Sequence, residues 1–77
     1  MKEDFQILEE FIATCDELRR RKGIVPDRSY ESSRKKLQDD LAAYAEAVRQ
    51  GRLTGRARWR KSKELFRRAV QDSAVLW

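Results

Sequence analysis

The segment FQILEEFIATCDEL, residues 5–18, decides the fold class, because its apolar residues recur with the period of an α-helix. At about 100° per residue, the apolar set falls within roughly half of the helix circumference: Phe5, Ile7, Leu8, Phe11, Ile12, Cys15 and Leu18. Glu9, Asp16 and Arg20 lie on the opposite side. The longer segment 3–22 begins with the acidic Glu3 and Asp4 and ends with the basic run at residues 19–22, as the helix dipole favours. We therefore predict an amphipathic helix over residues 3–22.

The first break in the helical pattern is KGIVPDRS, residues 22–29. Gly23 is suited to cap the end of the first helix, and Pro26 prevents that helix from continuing. Asp27 or Ser29 can cap the start of the next helix, because short polar side chains accept hydrogen bonds from its first free N–H groups.

The second break is GRLTG, residues 51–55, which holds two glycines and a capping candidate in Thr54. At 77 residues the chain is too short for two domains with useful cores, so we predict a single helical domain over residues 1–77. Its fold class is expected to be all-α, a small three-helix bundle with helices at roughly 3–22, 29–50 and 55–75.

The second predicted helix carries a narrow apolar stripe. Its members are spaced as heptads or nearly so: Tyr30, Leu37, Leu41, Tyr44, Ala45 and Val48. A narrow seam packs against one or two neighbours, so the stripe can serve the bundle or a homodimer. The wide apolar arc of the first helix and the apolar tail SAVLW, residues 73–77, favour a dimer.

The third predicted helix repeats the amphipathic pattern. Its apolar arc comprises Trp59, Phe66, Ala69, Val70 and Trp77, with Leu65 and Leu76 toward one edge. Trp59 shares the face of Phe66, which favours a core position. However, its arginine neighbours at the helix start place it where a partner could reach it. Trp77 is expected to dock onto the bundle or onto a partner, unless the sequence is part of a longer chain.

The composition argues against catalysis and against a metal centre. Cys15 is the only cysteine and histidine is absent, so there is no internal disulfide, no Cys/His zinc site and no Ser-His-Asp triad. Cys15 falls on the apolar arc, where a reactive thiolate is not expected. We expect a non-enzyme without cofactor, metal or small-molecule substrate. With no long apolar run and no secretory signal, we place it in the cytoplasm and away from membranes.

The basic residues are concentrated near the end of the chain. Residues 1–18 carry one lysine against six acids, whereas residues 49–68 carry nine basic residues against Glu64. On a helix, four of these basic residues fall in one longitudinal stripe beside the apolar arc: Arg56, Arg60, Lys63 and Arg67. Arginine, which suits bidentate phosphate contacts, outnumbers lysine twelve to six.

This stripe predicts a small basic regulator that binds nucleic acid, or a complex associated with nucleic acid, through its third helix. Phosphates would be held by Arg52, Arg56, Arg60, Lys63 and Arg67. Trp59 would add an apolar contact. No set of base-reading residues is evident, so specificity could lie in a partner.

The alternative function is a protein–protein interaction module, an inhibitor or adaptor that docks an acidic partner protein. Arginine and tryptophan are also favoured anchors in protein interfaces. Dimerisation would use the seam formed by Leu37, Leu41, Tyr44 and Val48. A third possibility is that the charges are only the rich charged surface common in small helical domains, in which the acidic first helix could neutralise the basic third helix within the bundle or across a dimer.

A loose pattern of aromatic positions resembles an FF domain. The matching residues are Phe11, Tyr30, Asp40 with Tyr44, and the pair Leu65-Phe66. FF domains usually carry tryptophan where this chain has Tyr30, and the loop GRLTGRARW is longer and more basic than is usual. The resemblance would imply a peptide-binding adaptor, and we assign no family from four positions.

Overall fold

The computed structural model describes residues 1–76, which form three packed α-helices and one short 3-10 turn without any strand. The elements are α1 (Asp4–Lys22), α2 (Arg28–Arg49), α3 (Gly55–Asp72) and the 3-10 turn (Ala74–Leu76). The predicted all-α three-helix bundle is therefore confirmed. None of these helices is both long and apolar enough to cross a membrane. Trp77, with its predicted docking, lies outside the described residues.

The turn between α1 and α2 uses the local signals in the sequence. Gly23 adopts the left-handed conformation, with φ 71°, and the Ile24 N–H donates to the Arg19 carbonyl at 3.0 Å. This arrangement satisfies carbonyls at the end of α1. The Asp27 carboxylate accepts from the Tyr30 N–H at 2.7 Å, so Asp27 is the residue that caps α2.

The end of α3 differs from the prediction, because the helix stops at Asp72 rather than near residue 75. The Ser73 hydroxyl donates to the Val70 carbonyl at 2.8 Å, and the Leu76 N–H donates to the Ser73 carbonyl at 2.9 Å. This tighter turn brings Leu76 into the bundle, where it is buried. The physical reason for the early stop is therefore the packing of a residue beyond the helix.

The core lies between the three helices and contains at least one fully buried leucine from each. It comprises Phe5, Leu8, Ile12, Leu37, Leu41, Tyr44, Ala45, Leu65 and Ala69. Phe5 and Tyr44 meet edge to face, with 6.3 Å between ring centroids. The predicted dimer seam of α2 thus packs inside the monomer, which corrects the proposal that Leu37, Leu41, Tyr44 and Val48 join two copies. Dimerisation by another surface stays a prediction.

A polar cluster at one end of the bundle joins the end of α1, the start of α2 and the end of α3. Arg34 donates to both carboxylate oxygens of Asp16, and the Tyr30 hydroxyl donates to Asp16 Oδ1 at 3.3 Å. The guanidinium carbon of Arg19 lies 3.7 Å from the centroid of the Tyr30 ring. Arg19 is buried and also donates to the Asp72 carbonyl. One member of the basic run at the end of α1 is therefore a structural residue.

Candidate functional site

Two arginines tether α3 to the other helices. Arg58 Nη2 lies 2.8 Å from Glu3 Oε2 and 3.2 Å from Asp4 Oδ1, at the start of α1. Arg68 Nη1 lies 2.7 Å from Asp40 Oδ2 on α2. Both arginine side chains are only partly exposed. Because they pair with acids of two different helices, they fix the rotation of α3 about its own axis. Among the basic residues of α3, Arg58 is the one that α1 pairs with.

The tethering carboxylates are stabilised in their charged form. The hydrogen bond from Arg68 lowers the pKa of Asp40. Burial alone would raise the pKa of Asp4, but hydrogen bonds with Tyr44, Ser62 and Arg58 outweigh it and lower the pKa. Both tethers are therefore ion pairs at neutral pH.

A second set of basic residues on α3 is exposed and pairs with no carboxylate of residues 1–76. We call this set the basic stripe: Arg56, Arg60, Lys63 and Arg67. Lys61 is excluded from this set because its Nζ lies 3.5 Å from Glu64 Oε2 on the same helix. The structure thus divides the basic residues of α3 into paired ones and free ones, and the free ones are those that the sequence predicts to bind.

The basic stripe runs along the outer side of α3. From Arg56 to Arg67 the helix rises about 16 Å, at about 1.5 Å per residue. At about 100° per residue, the stripe is roughly opposite Leu65 and Ala69, the buried residues of α3. The prediction that it lies beside the buried face was wrong. The buried side is centred on Leu65 rather than on Phe66, which is only partly buried.

Trp59 is on the surface, contrary to the core position that its spacing favours. Its residue surface is 63% exposed, and Val70 on the same flank of α3 is 54% exposed. Leu65 and Ala69 fill the core positions of α3, and Trp59 belongs neither to the core nor to the residues packed against it. The Lys63 ammonium lies 5.0 Å from the Trp59 ring centroid, a cation–π contact that links the indole to the basic stripe.

Arg52 lies in the loop that leads into α3, outside the helix that carries the basic stripe. Its side chain is exposed, and its Nε donates to the Gln50 amide oxygen at 2.6 Å. Its own N–H donates to the Ala47 carbonyl at 2.9 Å, which fixes the loop against the end of α2. The amide partner is neutral, so the charge of Arg52 is not cancelled.

The charges of α3 do not follow the helix dipole. Its first turn has no acid and its last turn has no base. By contrast, α1 begins with Asp4 and ends with a basic run, and α2 has Glu31 in its first turn and Arg49 in its last. Basic residues at a helix start cost stability. Such departures from local stability rules are expected where a surface serves a function.

Comparison with models of known protein families, with curated proteins and with solved structures finds no match to this chain. The loose resemblance to an FF domain therefore gains no support from a family match. Because fold alone does not imply function, the function must be argued from the surface of α3.

Proposed function

We propose that this protein is a non-catalytic regulator that binds nucleic acid through α3 and the loop before it. The basic stripe contacts backbone phosphates, and Arg52 extends the contact at the start of the helix. The observation that carries the proposal is the division of charge on α3. Arg58 and Arg68 pair with acids of α1 and α2 and Lys61 pairs within α3, whereas the four free basic residues face solvent on a single side.

The chemistry of the stripe fits a row of phosphates. Three of its four members are arginines, whose planar guanidinium groups form bidentate contacts with phosphate oxygens. Because none is neutralised by a described carboxylate, binding does not first require breaking an ion pair. The formal net charge of +5 adds a general attraction for a polyanion.

The stripe supports backbone contact rather than base reading. Bases are read mainly by arginine, asparagine and glutamine side chains that reach base edges with defined geometry. The exposed arginines of α3 are spread over about 16 Å along one helix face, which suits successive phosphates. We therefore expect binding that depends weakly on nucleotide sequence.

A salt titration tests the proposal. Fluorescence anisotropy of labelled single-stranded and duplex DNA and RNA should show binding at low salt. Log affinity should then fall linearly with log salt, with a slope of about −3 to −5 for four or five phosphate contacts. Absence of binding to all four nucleic acids at low salt would contradict the proposal.

A charge-matched pair of variants separates the stripe from general attraction. The first variant replaces Arg56, Arg60 and Arg67 with glutamine. The control variant replaces Arg28, Lys35 and Lys36 on the exposed face of α2, also with glutamine. Each variant removes three positive charges and lowers the formal net charge from +5 to +2. The stripe variant should lose binding with its helicity intact, whereas the control should retain most of it. Equal losses in both would contradict a site on α3.

Protein binding is the second candidate function, and exposed apolar residues favour it. Ile7 on α1 and both Trp59 and Val70 on α3 are about half exposed or more. Together with free arginines, such residues fit a surface that docks an acidic partner protein, as an inhibitor or adaptor would. A partner captured from nuclease-treated host lysate by the wild type, and lost with the stripe variant, would support this function over nucleic-acid binding.

A further inference from the structure

Trp59 occupies a position that a purely electrostatic surface does not require. Its indole is largely exposed, although burying an aromatic ring is one of the larger stabilising contributions available to a small domain. It lies three residues after Arg56 and four before Lys63, so both are its neighbours on the helix surface. An aromatic ring thus stands within the row of free cations.

The orientation of the indole is restrained by Lys63. A cation 5.0 Å from the ring centroid occupies one face of the ring. The opposite face is then available to a flat partner, since most of the residue remains accessible to solvent. A held aromatic ring beside phosphate-binding groups is the arrangement that single-strand binders use, in which bases stack on aromatic rings while cations follow the backbone.

From this arrangement we infer that the nucleic acid bound by α3 is single-stranded, with one base stacked on the free face of Trp59. The inference rests on the proposed function and narrows its substrate class. In a duplex the base faces are covered by neighbouring base pairs, so Trp59 has no surface to stack on. In a single strand every base offers a π face, whatever its identity.

The test compares three probes of equal length, about 16 nucleotides. These are a thymidine strand, an abasic strand with the same phosphates, and a duplex. The wild type should bind the thymidine strand about fivefold to a hundredfold more tightly than the abasic strand, because stacking of one base contributes at that scale. The salt slopes for the two single strands should agree, since their phosphate contacts are the same.

Substitution of Trp59 locates the stacking. Trp59→Leu keeps apolar area but removes the ring, so its affinity for the thymidine strand should fall to that for the abasic strand. Trp59→Phe should retain part of the preference. The control is Val25→Ser, which removes an exposed apolar side chain from the turn between α1 and α2, outside α3, and should leave all three affinities unchanged.

The outcomes distinguish this inference from the proposed function. If the wild type binds none of the probes at low salt, both are contradicted. If it binds all three equally and Trp59→Leu changes nothing, phosphate binding stands and stacking is refuted. Equal weakening of all three probes by Trp59→Leu also refutes stacking, because loss of a ring–base contact cannot affect the abasic strand.

Discussion

Arg34 of α2 holds Asp16 of α1 with two donors, since its Nε donates to Oδ1 at 3.0 Å and its Nη2 donates to Oδ2. The Arg34 side chain is only 16% exposed, and that of Asp16 is 38% exposed. The pair therefore lies partly out of water, between α1 and α2. The Arg34–Asp16 contact is bidentate and partly shielded from solvent, unlike the ion pairs on the surface of the protein.

Removing the carboxylate should destabilise the fold. Asp16→Asn leaves the Arg34 charge partly buried without its counter-ion, and we expect a loss of about 1–3 kcal/mol in the free energy of unfolding. Urea denaturation followed by far-UV circular dichroism measures this change. The control is Asp39→Asn, whose exposed pair with Lys35 should change stability by less than about 0.5 kcal/mol. Equal effects of the two variants would contradict the role assigned to Arg34.

Acid should destabilise the protein in a defined range of pH. Hydrogen bonding to Arg34 lowers the pKa of Asp16, and the pKa values of Asp4 and Asp40 are also lowered from the ordinary 3.8. The unfolded chain then binds protons more readily than the folded one, so these groups stabilise the fold fully above about pH 4. That contribution is lost as the pH falls through their lowered folded-state pKa values.

Thermal unfolding as a function of pH checks this expectation. The melting temperature should be nearly constant from about pH 5 to 7 and fall steeply below about pH 4. The Asp16→Asn variant should show a shallower fall, because it has one fewer titrating group. A melting temperature that stays constant down to about pH 2 would contradict the ion pairs described.

A pair of α3 variants tests which side of that helix is buried. Leu65 is completely buried, so Leu65→Ala should cost about 2–5 kcal/mol in unfolding free energy through lost burial and a cavity. Trp59→Ala removes an exposed ring and one cation–π contact, and should cost less than about 1 kcal/mol. Chemical denaturation of both variants makes the comparison. A larger loss for Trp59→Ala would mean that the ring is buried in solution.

Reversing the charge of one stripe residue should weaken binding to nucleic acid and raise the free energy of unfolding. Arg56 lies in the first turn of α3, where the helix dipole favours an acid. Arg56→Glu should raise the unfolding free energy by about 0.3–1 kcal/mol and weaken binding to nucleic acid. Arg56→Gln, as the control, should fall between the wild type and Arg56→Glu in both properties. Loss of stability in Arg56→Glu would show that Arg56 makes a structural contact.

The helices were predictable because their signals are local. The apolar period of residues 5–18 and the break at Gly23 and Asp27 depend on neighbours only a few residues apart, and the structure confirms both. The end of α3 was not predictable in the same way. It is set by the burial of Leu76 against the bundle, a tertiary effect that the helical period does not report.

The buried side of α3 was predicted wrongly because the helix carries apolar residues in two directions. Trp59 and Val70 mark one direction, and Leu65 and Ala69 mark another. Periodicity alone does not decide between them. Which side of α3 is buried is determined by its packing against α1 and α2. The pairing of Arg58 with Glu3, which is 55 residues away in the chain, also contributes.

Ion pairs between residues far apart in the chain also could not be predicted from the sequence, and they determine which basic residues of α3 are free. The members of the basic stripe were recognisable from their spacing, but which of the arginines remain free depends on where the acids of α1 and α2 end up. Arg58 and Arg68 look similar to Arg56 and Arg67 in the sequence. Spacing placed Arg56 and Arg67 in the stripe, but only the three-dimensional positions of the acids at the start of α1 and at Asp40 show that Arg58 and Arg68 are paired.

The placement of Leu65, Ala69 and Leu76 in the core has a consequence for biosynthesis. The ribosome makes α1 and α2 first, and the leucines on their inner faces have no cover until α3 has emerged. Until then the nascent hairpin exposes an apolar surface, and the bundle is expected to fold only once α3 has emerged.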